Sequence, residues 1–99
     1  HSRFKVSCRY FLILAAPGKE TSSRLGLIVA KKNVARAVQR NRLKRLIREW
    51  FRHQQLPINL DLVVLVRKDA DRLVNSQLTD KLHRLGNDLG QKCLETPKR

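Results

Sequence analysis

The sequence is poor in what most catalytic or covalently stapled domains depend on. Its 99 residues include two cysteines, no methionine, five aromatics, four glycines, three prolines and eight acids. Cys8 and Cys93 stand near opposite ends with no CxxC or metal-ligand spacing, which argues against a disulfide framework and reads as two reduced thiols without a role. The scattered glycines form no loop that cradles phosphate. No apolar run approaches the ~20 residues of a membrane span, and the stretch Tyr10 to Ala16 has neither the length nor the flanks of a signal peptide. A soluble, cytoplasmic chain with no membrane partner is the expectation. The acids are too sparse for a carboxylate nuclease centre, and Asp69 and Asp71 in RKDAD read as turn residues after a strand. His1, His53 and His83 adjoin no Ser, Cys or carboxylate constellation and read as surface residues. The side chains therefore suggest no catalytic residue, no protein-held metal and no small-molecule substrate.

Positive charge is abundant: 22 Lys and Arg give a formal net charge of +14. Nine of these bases, with Glu49 as the only acid, fall in KKNVARAVQRNRLKRLIREWFR, residues 31–52. They are Lys31, Lys32, Arg36, Arg40, Arg42, Lys44, Arg45, Arg48 and Arg52. Charge concentrated in one folding segment makes a potential that can hold a polyanion, and nucleic acid is the natural partner. A hydrophobic content of 41% over this length suits a single domain spanning residues 1–99.

The coarse order reads strand, strand, basic helix, strand, helix. Arg9 to Ala16 is rich in β-formers and stops at Pro17-Gly18, and a second strand resumes over Leu25 to Ala30 after about eight loop residues. Phe4-Lys5-Val6 alternates as a short edge strand. Asn33 is placed to cap a helix of about 30 Å reaching His53, with Pro57 forbidding continuation. Asp61 to Arg67 is a nearly continuous apolar run, the pattern of a strand buried on both faces. Ser76 is placed to cap a last helix carrying Leu78, Leu82, Leu85 and Leu89, with Gly86 and Gly90 weakening its later turns. The fold class is α+β, a two-layer α/β sandwich on a mixed sheet.

At about 100° per residue, Leu43, Leu46, Ile47, Trp50 and Phe51 project to one side of the basic helix. Asn41, Arg45, Arg48 and Arg52 project to the other, flanked by Arg42 and Lys44; Arg40 falls nearer the buried edge, and Val38 falls on the basic side. Ordinary solvated helix faces interleave Glu with Lys; an Arg-rich, acid-poor face points to phosphate contact, with Arg42 expected to bind RNA and to add nothing to stability. Asn41, a neutral group that donates and accepts, can read a 2′-hydroxyl, a base edge or a metal-bound water. In the first long strand, alternation puts Tyr10, Leu12 and Leu14 on one face and Phe11, Ile13 and Ala15 on the other. Phe11's side is assigned to the core, because a phenol tolerates exposure better than a phenyl ring.

Lys31-Lys32, Val34, Ala37-Val38, Arg40-Asn41-Arg42, Lys44-Arg45 and Arg48, followed by a strand opening at Asp61, resemble the signature of the bacterial ribonuclease P protein component. The resemblance covers nearly the whole chain. It implies a sandwich with a left-handed βαβ crossover, and it places the start of this chain after the family's N-terminal helix. It further implies a subunit of a ribonucleoprotein endoribonuclease that removes the 5′ leader from precursor tRNA, with catalysis by an RNA and Mg²⁺ held mainly by that RNA. The partners implied are the catalytic RNA, bound by residues 31–52, and the precursor's leader, bound by the face of Tyr10, Leu12 and Leu14. A leader-contacting aromatic of the family aligns with Leu14, and Ala35-Arg36 stands where many members carry Gly-Asn, so no metal is assigned to that turn. The competing readings are a structural RNA binder of ribosomal type, without processing activity, and a module that lays its basic helix in a DNA groove.

Overall fold

The computed structural model describes residues 4–18 and 21–95; His1 and the Lys19-Glu20 part of the first long loop lie outside the described residues. Four strands, β1 (Phe4–Ser7), β2 (Phe11–Pro17), β3 (Arg24–Ile28) and β4 (Leu60–Val66), form one sheet in the order β1-β2-β4-β3. β1 to β2 and β2 to β4 are antiparallel, and β3 to β4 is parallel. The parallel pair is joined by the basic helix α1 (Ala37–Arg52), and α2 (Asn75–Glu95) follows β4 after a 3₁₀ turn, Ala70–Arg72. Each expected element is present, including the short edge strand.

Both helices cover one face of the sheet. Phe11, Ile13 and Ala15 of β2 and Leu60, Leu62, Val64 and Val66 of β4 meet Leu43, Ile47 and Trp50 of α1 in one core. Leu78, Leu82, Leu85 and Leu89 complete it from α2, so the leucine spacing reads correctly. The polar connection after β4 turns at Asp69, whose φ of 73° is the left-handed conformation that Asp tolerates better than most residues.

Two helix starts and the cover of one strand differ from expectation. Asn33 does not cap α1: its amide Nδ2 donates to the Val66 carbonyl at 3.0 Å, while the amides of Asn33 and Val34 both turn back to Ala30. Val34 is fully buried, and the helix starts only after Arg36, so its 16 residues span about 24 Å. Ser76 does not cap α2 either, since the helix begins at Asn75 and Gln77 Oε1 accepts the Val74 N–H at 3.2 Å. β4 is not covered on both faces. Leu60, Leu62, Val64 and Val66 are buried, whereas Asp61, Val63 and Leu65 are half-buried on the side without helices. Its apolar run therefore includes one side that floors an open surface.

The two glycines of α2 meet different surroundings. A Cβ on Gly90 has nothing within 4 Å, whereas one on Gly86 meets Gln54 Oε1 at 2.5 Å and Trp50 Cζ2 at 3.2 Å. Gly90→Ala is expected to raise stability by about 0.5–1 kcal/mol in denaturant melts, from helix propensity alone. Gly86→Ala is expected to gain less or to lose stability, because Gln54 and the indole must move.

Candidate nucleic-acid interface

The stripe Leu43, Ile47 and Trp50 is buried, with Leu46 and Phe51 packed half-buried beside it. Docking that stripe turns Asn41, Arg45, Arg48 and Arg52 to solvent, as the periodicity predicts. Lys31, Lys32 and Arg36 are also exposed, in the connection before the helix, and Lys44 is half-buried. Among the described residues, the side chains of Lys31, Lys32, Arg36, Lys44, Arg45 and Arg48 have no hydrogen-bond or ion-pair partner. Arg52 pairs with Glu49 at 3.2 Å on the exposed surface. Asn41, Lys44, Arg45, Arg48, Glu49 and Arg52 line a shallow concavity of about 440 Å³. Val38 stands 67% exposed on this side of the helix, an apolar spot on a cationic face.

Arg40 and Arg42 are placed differently from the other bases. Arg40 Nη1 donates to the carbonyls of Val34 at 3.1 Å and Ala35 at 2.8 Å, closing the turn that precedes α1. Arg42 Nε donates to Gln39 Oε1 at 2.8 Å, and its Nη1 to Asn75 Oδ1 at 2.6 Å. Its Nη2 donates to the carbonyls of Asp71 and Leu73, both at 3.1 Å. This corrects the expectation that Arg42 leaves stability untouched: the guanidinium ties α1 to the 3₁₀ turn and the start of α2. No local sequence signal shows this, since three of its four partners lie 29 to 33 residues away.

The second surface is the open side of the sheet. The strand registers align Lys5, Leu14, Val63 and Gly26 in one row, and Ser7, Leu12, Leu65 and Ile28 in the next. Phe11 and Ile13 are 0% exposed, so the facing of β2 is as expected. Tyr10 departs from it. The tyrosine lies in the hairpin turn before β2, where alternation no longer applies, and Lys81 Nζ of α2 sits 5.4 Å from its ring centroid. Leu12 and Leu14 thus form the floor without Tyr10, whose ring is engaged by the helical layer. At one end of the open face Arg24 Nε and Nη2 donate to the two Asp61 oxygens at 3.2 and 3.1 Å, clamping β3 to β4. Hydrogen bonding from Arg24, helped by its charge and opposed by desolvation, holds the Asp61 carboxyl below its ordinary value.

Of the other acids among the described residues, Glu49, Asp69 and Asp80 are scattered into local pairs with Arg52, Arg72 and Arg84. Among the described residues no group of three His, Cys, Asp or Glu is gathered to hold a metal ion. The donor set present does not suit a protein-held Mg²⁺, at the Ala35-Arg36 turn or elsewhere among these residues. Among the described residues no helix is long and apolar enough to cross a membrane.

These features define the class: a basic two-layer α/β domain that displays an unneutralised helix on one layer and an open apolar sheet face on the other. Within that class, the chain belongs to the ribonuclease P protein family, whose family model, described as Ribonuclease P, matches residues 1–90. A "Ribonuclease P protein component" of Marinomonas sp. (strain MWYL1) is 44% identical over 92 residues, covering 92% of this chain and 70% of the relative. One from Acinetobacter baylyi is 50% identical over 80 residues, covering 80% of this chain and 61% of the relative. The chain thus spans between 61 and 70% of the length of these curated relatives. Among solved structures, the Staphylococcus aureus RNase P protein superposes with a TM-score of 0.76 at 32% identity, covering 86% of this chain and 79% of that one. The Thermotoga maritima RNase P protein gives 0.72 at 32% identity, covering 89% and 82%.

Arg42→Ala is expected to lower stability by about 1–2 kcal/mol, the cost of stranding several partly buried acceptors, with Arg42→Lys recovering less than half. Arg45→Ala is expected to stay within about 0.5 kcal/mol of the parent. Chemical melts of the three variants check both statements.

Proposed function

We propose that this chain is the protein subunit of ribonuclease P, assisting a catalytic RNA in the endonucleolytic removal of the 5′ leader from precursor tRNA. The observation that carries the reading is the unpartnered cationic face of α1, in a chain of this family. In this reading Lys31, Lys32, Arg36, Lys44, Arg45 and Arg48 contact phosphates of the catalytic RNA, with Asn41 among them as the group able to read a 2′-hydroxyl or base edge. Arg52 adds a contact at the end of the helix, while Arg40 and Arg42 hold the turn and the helix in place behind that surface. The chemistry is supplied by the RNA with Mg²⁺ bound mainly to it, and the scattered acids of the described residues agree with this division. The open sheet face takes the single-stranded leader. Leu12, Leu14, Val63 and Leu65 offer an extended apolar floor of strand-like dimensions, against which unstacked bases lose water-exposed surface. A purely structural RNA binder of ribosomal type is disfavoured by the family to which the chain belongs.

Cleavage of precursor tRNA by a bacterial ribonuclease P RNA at low Mg²⁺ is expected to rise when the chain is added, and a rate unchanged by the protein overturns the reading. Affinity for the catalytic RNA is expected to fall steeply with salt. Arg45→Ala and Arg48→Ala should each lower the slope of log affinity against log salt by roughly one unit.

A separate outcome tests the leader surface. Replacing Leu14 with Asp, on the half-buried open face, is expected to weaken binding of a leader-bearing precursor at least roughly tenfold through repulsion of its phosphates, with mature tRNA little affected. Equal losses for both RNAs would place the leader elsewhere.

A further inference from the structure

A cavity of about 630 Å³ opens between the two helices, on the helical layer and away from the open sheet face. α1 supplies Leu46, Glu49 and Trp50 to its wall, His53 joins them from just beyond the end of α1, and α2 supplies Asn75, Thr79 and His83, which recur every four residues on one helical face. The volume is that of a small-molecule site, and most of the lining is apolar. Its free charge is small. Arg42 borders it with a guanidinium already donating to four acceptors, Glu49 is tied to Arg52 and His53, and Arg45 at the lip is the lining cation without a partner. Such a cavity is a poor well for a bare phosphate and a good one for an uncharged planar heterocycle. Two imidazoles in the wall offer ring faces and hydrogen-bonding edges. Trp50, only 5% exposed, carries a buried Nε1 donor without a partner, which is uncommon for an interior polar group.

Position decides what that heterocycle belongs to. Arg45 and Glu49 border both this cavity and the cationic concavity on the exposed side of α1. A strand whose phosphates follow Arg48 and Arg45 therefore passes the lip of the cavity. A nucleotide leaving the stack there swings its base inward and keeps its phosphate on the helix. We propose that the cavity between α1 and α2 receives one unstacked nucleobase of the RNA that α1 binds, lodged against Leu46 and Trp50 between His53 and His83, with Arg45 at the lip. The proposal rests on the RNA-binding reading of α1 and adds a base pocket to it.

Trp50 is the only tryptophan, so a ¹⁵N-labelled sample of the full chain gives one indole N–H resonance, from a residue that lines the cavity. Titration with AMP is expected to move that resonance and the Thr79 and His83 amides saturably, while ribose 5-phosphate leaves all three in place. Thr79→Phe, which fills the space, is expected to weaken AMP binding at least roughly tenfold, and His83→Ala, at an exposed position, to weaken it about threefold. For the catalytic RNA, His83→Ala is expected to reduce affinity with an unchanged salt slope, because no phosphate contact is removed. Equal shifts with ribose 5-phosphate would mean a phosphate site, and AMP shifts insensitive to His83→Ala would place the nucleotide elsewhere; either overturns the pocket. Failure of the subunit reading appears separately, as precursor cleavage unaffected by the parent chain while AMP still titrates the indole.

Discussion

Burial of the stripe Leu43, Ile47 and Trp50 fixes the direction of the remaining side chains on α1. Each of these residues contributes on the order of 2 kcal/mol by leaving water, and together they outweigh the mutual repulsion of a helix with one acid among its bases. A rotation by one residue, about 100°, would expose the indole and push cations into the core, so the helix has a single acceptable setting. The cations of the exposed face are therefore a consequence of packing. The backbone that presents them is as fixed as the core beneath it.

This accounts for how much of the protein is legible in its sequence. Period and composition suffice where one interaction dominates. The leucines of α2, the apolar side of α1 and the facing of Phe11 and Ile13 are all burial patterns, and burial repeats with the period of the element. Reading fails where a contact joins distant segments. Asn33 has the composition of a cap, but its amide is used by Val66, 33 residues on. Arg42 looks like one more surface base until Asn75, Asp71 and Leu73 arrive from the other side of β4. Tyr10 obeys the alternation of β2 only on paper, because the hairpin turn begins before it and Lys81 of α2 takes the ring. The cavity between the helices is invisible in the sequence for the same reason, as its two walls lie on separate helices.

β4 illustrates how function changes the meaning of a pattern. A run such as DLVVLV normally implies cover on both faces, and here one face is left half-open with its apolar residues in place. An uncovered row of Leu and Val in a sheet is unfavourable unless something apolar or stacked visits it. The Arg24–Asp61 clamp at one end of the face holds the parallel pair where no helix supports it on that side. Departure from the usual burial rule thus coincides with the surface proposed for the leader, and it leaves the helical layer free for the RNA proposed to bind α1.

The same logic separates the bases of residues 31–52 into two kinds. Arg40 and Arg42 place their donors on carbonyls and side chains of the protein, whereas Arg45, Arg48 and Lys44 leave theirs unused. Binding a phosphate costs the freedom of every group that must be ordered to meet it. Two arginines already fixed internally hold the turn, the helix start and α2 in one arrangement before any RNA arrives, so less ordering of the backbone remains to oppose binding. A helix with all its guanidiniums facing outward would carry more charge but lose these ties. On the proposed reading affinity for RNA depends on both sets, and only the outward set should respond to salt as phosphate contacts do.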